Sequence, residues 1–192
     1  EAQMDRFLYK LRLDFPHAAD LLMIVERTTQ QDDLTASQVL GKTEILAMRE
    51  TARNVPVAQP IMEYAIAITL ATHPESSQGH ELAKQYVRFG SSPRGVQSLI
   101  LGAKVNALLS DRFYVSVDDI KAVALPALRH RVLINFEAES ERINPDNILE
   151  ENFISFYNRD LKAPTPDLTG YNNELKSKIL NKIESNLWFK TD

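Results

Sequence analysis

The chain has 192 residues, 44% of them apolar, which is enough for one ordinary domain with a core or for a domain plus an appendage. Its 22 basic and 26 acidic residues give a formal charge of -4 with no strong basic cluster, which argues against a sequence-independent grip on nucleic acid. The absence of cysteine excludes disulfides, thiolate metal sites and a cysteine nucleophile; with no span-length apolar run and no secretory signal pattern, a cytoplasmic location is expected.

The chain opens on Glu1 rather than methionine, and its first residues read as the middle of a longer sequence. From Phe7, large apolar residues at Tyr9, Leu11 and Leu13 alternate with basic or polar ones, a strand signal. Nothing later supplies an obvious sheet, so its partners are expected upstream. Pro16 opens a short helix through Ala18, Leu21, Leu22, Ile24 and Val25, and Thr28 to Asp33 reads as a polar loop.

A helical pattern follows from Val39 to Ala52. Its Gly41-Lys42-Thr43 is not a phosphate loop, because that motif needs a glycine where Ala36 stands and no strand leads into it. Lys42 reads as a solvated helix residue. Pro60 fits the first turn of a helix through Ile61, Tyr64, Ala65, Ile68 and Ala71, apolar on more than one face and so expected to be central. His73 and His80 flank a loop without a carboxylate or third histidine at ligand spacing, which argues against a metal site. A short helix is expected over residues 81–89.

Gly90-Ser91-Ser92-Pro93-Arg94 is a helix start, with Ser92 as N-cap and Pro93 as the first helical residue. Val96, Leu99, Ile100, Ala103, Ala107 and Leu108 mark the buried face of the long helix that follows. Arg94 falls in its first turn, where a cation opposes the helix dipole at a cost of about 0.3–1 kcal/mol. The same helix end attracts phosphate, so Arg94 there makes a phosphate clamp. The alternative is an exposed arginine paired with a nearby carboxylate.

Ser116 and Asp119 form a capping-box pattern opening a helix that Pro126 is expected to interrupt. Arg129-His130-Arg131 follows, read either as a functional basic cluster or as cations favoured at a helix end. Asn144-Pro145 starts another helix, Pro164 to Asp167 is linker-like, and Leu175, Ile179, Ile183 and Leu187 line an amphipathic helix ending near Trp188 and Phe189.

Three blocks together resemble the C-terminal half of a MoxR-type AAA+ ATPase: Glu1-Ala2-Gln3-Met4-Asp5-Arg6-Phe7, which leads into the family's last core strand; Gly90-Ser91-Ser92-Pro93-Arg94, similar to its Gly-Ala-Ser-Pro-Arg lid signature; and Tyr114 to Ile120 followed by Leu128-Arg129-His130-Arg131. Order and spacing agree over roughly residues 1–135. The resemblance implies an all-α helical-bundle AAA+ lid domain, with a short N-terminal strand left over from the α/β nucleotide-binding core. The expected division is residues 1–15 as core remnant, 16–143 as lid and 144–192 as a C-terminal extension.

In that family Arg94 corresponds to the sensor-2 arginine that contacts nucleotide phosphate, and Arg6 falls where related clades place an arginine finger. An ion pair involving the neighbouring Asp5 is the structural alternative for Arg6. The resemblance further implies ATP and Mg2+ in the complete protein, a hexameric ring, and chaperone-like remodelling of client proteins, often with von Willebrand factor A domain partners. The phosphate loop, magnesium motif and γ-phosphate sensor of the family would precede Glu1, so this chain alone is expected not to hydrolyse ATP. A non-enzymatic helical interaction module, using the C-terminal amphipathic helix, is the competing reading.

Overall fold

The computed structural model describes residues 3–29 and 38–157, with side chains described through Glu151. The amphipathic run over 173–189, the linker at Pro164 to Asp167 and most of the polar loop expected over 28–33 lie outside the described residues; Thr28 and Thr29 themselves close the first helix.

Helices dominate, as the sequence pattern requires. In chain order they are α1 (Ala18–Thr29), α2 (Lys42–Asn54), α3 (Gln59–Ala71), α4 (Glu81–Tyr86), α5 (Pro93–Leu109), α6 (Val117–Leu128), α7 (Phe136–Ser140) and α8 (Pro145–Tyr157). Helix α3 buries Ile61, Tyr64, Ala65, Ile68 and Ala71, more than one stripe, and so is central as its all-round apolar character predicts. Helix α5 buries Leu99, Ala103 and Ala107, with Val96, Ile100 and Leu108 packed at the margin of the core.

The α5–α6 connection is fixed by a buried carboxylate. Ser116 and Asp119 form the anticipated capping box at the start of α6. Asp119 also accepts from Asn106 Nδ2 at 2.7 Å and from both Arg112 terminal nitrogens at 2.7 and 2.6 Å. Its burial is thus matched by donors on every side.

Two expectations change in detail. The helix expected over residues 81–89 stops at Tyr86, and Val87–Phe89 instead forms strand β1, antiparallel to β2 (Leu133–Ile134). Valine and phenylalanine favour that extended state once a partner edge is available. Pro126 does not interrupt α6, which runs two residues further to Leu128. Ala124, Ala127 and Leu128 are fully buried, so packing holds the last turn despite the missing donor.

The strand expected from Phe7 has its partners expected upstream. Met4–Arg6 is a 3-10 turn and Phe7 is extended, but residues 7–13 form no strand ladder among the described residues. Their backbone groups find other partners. Lys10 N–H donates to Pro126 O at 2.9 Å, while Phe7, Leu8 and Lys10 carbonyls accept from His130, Arg131 and Arg129. Tyr9 seats its ring against Gly102 of α5, where a Cβ would stand 1.7 Å from the Tyr9 hydroxyl. At the other end of the chain, α8 adds Ile148 and Leu149 to the core and is tied to the end of α6 by Arg129–Asp146 at 3.1 Å.

Candidate functional site

The start of α5 is built by local chemistry. Ser92 has extended backbone and its hydroxyl accepts from Arg94 N–H at 3.2 Å, the N-cap its position predicts. The preceding residues are gripped from the end of α3. Ser91 N–H donates to Thr72 Oγ1 at 2.9 Å, and His73 Nε2 bonds Ser91 O at 2.9 Å. A Cβ at Gly90 would meet the His73 ring at 2.7 Å, and one at Gly95 would meet Ser91 Oγ at 2.0 Å, so both glycines mark close approaches. His73 therefore holds this loop, and His80 caps α4 by accepting from Leu82 N–H. Lys42 is exposed at the start of α2.

Arg94 projects from this fixed helix start with 53% of its side chain exposed. Its Nη1 lies 3.3 Å from Asp5 Oδ2, a contact between residues 89 positions apart. The carboxylate-pairing alternative is thus realised, but by a weak, solvent-accessible contact that leaves most of the guanidinium free. Arg6 follows Asp5 on the same turn and is exposed. The neighbouring Asp5 turns to Arg94 and Arg131 instead of to Arg6.

Asp5 is the meeting point. Ser92 Oγ donates toward both its oxygens, at 2.8 and 3.0 Å, and Arg131 Nε reaches Oδ1 at 3.1 Å. Burial would raise its pKa, but the Ser92 hydroxyl and the positive charges of Arg131 and Arg94 hold the carboxyl below its ordinary value. Arg131 is only 2% exposed. It makes five hydrogen bonds, to Asp5 Oδ1 and to the carbonyls of Asp5, Phe7, Leu8 and Ala127, matching the five N–H donors of a guanidinium. Within the basic cluster Arg129–Arg131, all three side chains hold the N-terminal segment to the helices.

The sequence singles out Arg94 and Arg6 as candidates but does not reveal that Asp5 joins Arg94 to the turn of Arg6, nor that Arg131 anchors Asp5. The usable signals were glycines inside a helix, at Gly95 and Gly102, which cost helix stability and so mark a close approach by another part of the chain.

This arrangement, a mostly helical unit whose long helix begins with a capped, arginine-bearing turn, is an AAA lid: residues 80–152 match the AAA lid domain family. More of the chain is similar to MoxR proteins. It is 32% identical to chaperone MoxR1 of Mycobacterium tuberculosis over 78% of this chain and 39% of the relative. It is 34% identical to the uncharacterised protein YeaC of Bacillus subtilis, over 79% of this chain and 45% of the relative. The crystal structure of an inferred ATPase from Cytophaga hutchinsonii superposes with a TM-score of 0.70 at 30% identity, over 80% of this chain and 47% of that one. The chain therefore spans less than half the length of these relatives, and within that span it carries the AAA lid and is similar to MoxR proteins. No helix among the described residues is long and apolar enough to cross a membrane.

Proposed function

We propose that the chain is the lid of a cytoplasmic AAA+ ATPase in which Arg94 contacts nucleotide phosphate and Arg6 is an arginine finger. The observation that carries this is the tie between them: Arg94, half-exposed on the first turn of α5, touches Asp5, and Asp5 is the covalent neighbour of Arg6. Arginines stabilise the charge that spreads over a transferring phosphoryl group, and one supplied to an adjacent subunit couples hydrolysis to assembly. Through Asp5, phosphate contact by Arg94 is felt at the turn that carries Arg6.

In this reading residues 1–15 belong to the end of a nucleotide-binding core, 16–143 to the lid and 144–192 to an extension. Supporting the first boundary, Phe7, Leu11, Leu13 and Phe15 are large apolar side chains left exposed, Leu13 at 88%, as surface awaiting a covering domain would be. The complete protein would bind ATP with Mg2+, assemble as a hexameric ring and remodel client proteins, with von Willebrand factor A domain proteins as candidate partners. The chaperone name of the Mycobacterium tuberculosis relative supports that role. The chain alone, without a phosphate loop, would be inactive.

The test is ATP turnover by the complete protein and by its Arg6→Ala variant. A finger acts on the transition state, so the variant should lose turnover by roughly a thousandfold while nucleotide affinity stays within a few-fold. Turnover in the variant equal to wild type contradicts the finger assignment, and an assembled wild type without turnover contradicts the ATPase reading.

A further inference from the structure

The link that joins Arg94 to Arg6 also has the chemistry of an exchangeable one. We infer that Asp5 is a built-in stand-in for phosphate: its carboxylate holds the Arg94 guanidinium while nucleotide is absent, and a nucleotide phosphate displaces it. The inference rests on the proposed phosphate contact of Arg94 and adds what Arg94 does when no phosphate is present.

Three observations carry it. First, the Arg94–Asp5 contact is made through Nη1 alone at 3.3 Å by a side chain 53% exposed, so it yields readily to a more highly charged oxyanion. Second, Asp5 does not depend on Arg94. When that guanidinium leaves, the carboxylate keeps the Ser92 hydroxyl at 2.8 Å and the buried Arg131 Nε at 3.1 Å. The buried cation of Arg131 balances the Asp5 charge, so release leaves no uncompensated carboxylate beside the arriving phosphate.

Third, the exchange is coupled to geometry. Ser92 is the N-cap of α5, and its hydroxyl both donates to Asp5 and accepts from Arg94 N–H. Asp5 in turn lies in the Met4–Arg6 turn, clamped by Arg131 through the carbonyls of Asp5, Phe7 and Leu8. Occupying Arg94 with phosphate removes one of the bonds between α5 and that turn and leaves the Arg131 clamp in place. The turn carrying Arg6 then stays anchored while its tie to the phosphate-contacting helix loosens.

The experiment is a double-mutant cycle on affinity of the complete protein for AMP-PNP, with wild type, Asp5→Asn, Arg94→Ala and the double variant. Asparagine keeps one acceptor oxygen, the Oδ1 that both Ser92 and Arg131 address, and removes the competing charge. Asp5→Asn should tighten binding roughly two- to fivefold when Arg94 is present, and leave it unchanged when Arg94 is alanine. An equal effect in both backgrounds, or no tightening, overturns the stand-in and leaves the Arg94 assignment intact if Arg94→Ala itself weakens binding. An Arg94→Ala variant that binds AMP-PNP like wild type overturns both. Asp5→Ser, a smaller uncharged acceptor, repeats the cycle if the asparagine variant does not fold.

Discussion

Arg131 Nε lies 3.1 Å from Asp5 Oδ1, joining residues 126 positions apart, and the rest of the same guanidinium is taken up by backbone carbonyls. One buried side chain thereby does what a neighbouring strand would do for an extended segment, satisfying its acceptors without a ladder. The cation is held at the end of α6, where C-terminal carbonyls also favour positive charge.

Arg131→Lys should therefore be far from conservative. Lysine keeps the charge but offers three donors to five acceptors and lacks the planar fork, so a loss of about 2–3 kcal/mol is expected in urea unfolding. Residues 3–10 should become protease-sensitive at the same time. A loss within about 0.5 kcal/mol, as for a surface substitution, would show that the N-terminal segment is held by something else.

Gly102 makes a separate, purely steric prediction. Because an added Cβ would fall 1.7 Å from the Tyr9 hydroxyl and 2.8 Å from Cζ, Gly102→Ala has to displace the Tyr9 ring. The gain in helix propensity is outweighed, and the net cost should be about 1–2 kcal/mol by thermal or chemical unfolding. Adding Tyr9→Phe removes the nearest clashing atom and should restore part of the loss. No recovery would place the strain elsewhere.

Acid sensitivity follows from two buried groups of different sign. Burial opposes charge on Asp119, but the hydrogen bonds from Arg112, Ser116 and Asn106 outweigh it and hold the carboxyl down to about 2, against an ordinary 3.8. A depressed acid contributes stability that is present above its unfolded value and disappears as pH falls toward the folded one, here roughly 2 kcal/mol lost between about pH 4 and 2. Asp119→Asn should flatten that limb and destabilise the protein at neutral pH.

His130 acts at milder pH. Burial and the neighbouring Arg131 charge push its pKa below the ordinary 6.5, partly opposed by its bond to Phe7 O. The unfolded chain then takes up a proton that the folded one refuses, so stability should already decline as pH drops below about 6.5. His130→Gln should remove that part of the slope and leave the lower limb due to Asp119.

How much of this was legible depended on how local the cause was. The Ser92 cap, the Ser116–Asp119 box and the apolar stripe of α5 are determined within a few residues, and each formed where the pattern put it. The alternation from Phe7 to Leu13 records which side chains are apolar, not what satisfies the backbone. Here the acceptors of Phe7 and Leu8 are satisfied by His130 and Arg131, far along the chain. The Asp5 hub was hidden for the same reason: its partners, Ser92, Arg94 and Arg131, are brought together only by the packing of α5 on α6. Pro126 shows the converse, a local signal for a helix break overridden by burial of the residues around it.

The central claim, that Arg94 serves phosphate and not the fold, is tested most directly by ATP turnover and thermal stability of the complete protein measured side by side for wild type and Arg94→Ala. The Asp5 contact is weak and a cation in the first turn opposes the helix dipole, so the stability change should be within about 0.5 kcal/mol. Turnover should fall by roughly a hundredfold or more. Undiminished turnover, or a fall matched by equal unfolding, would contradict the account and return Arg94 to the surface of the lid.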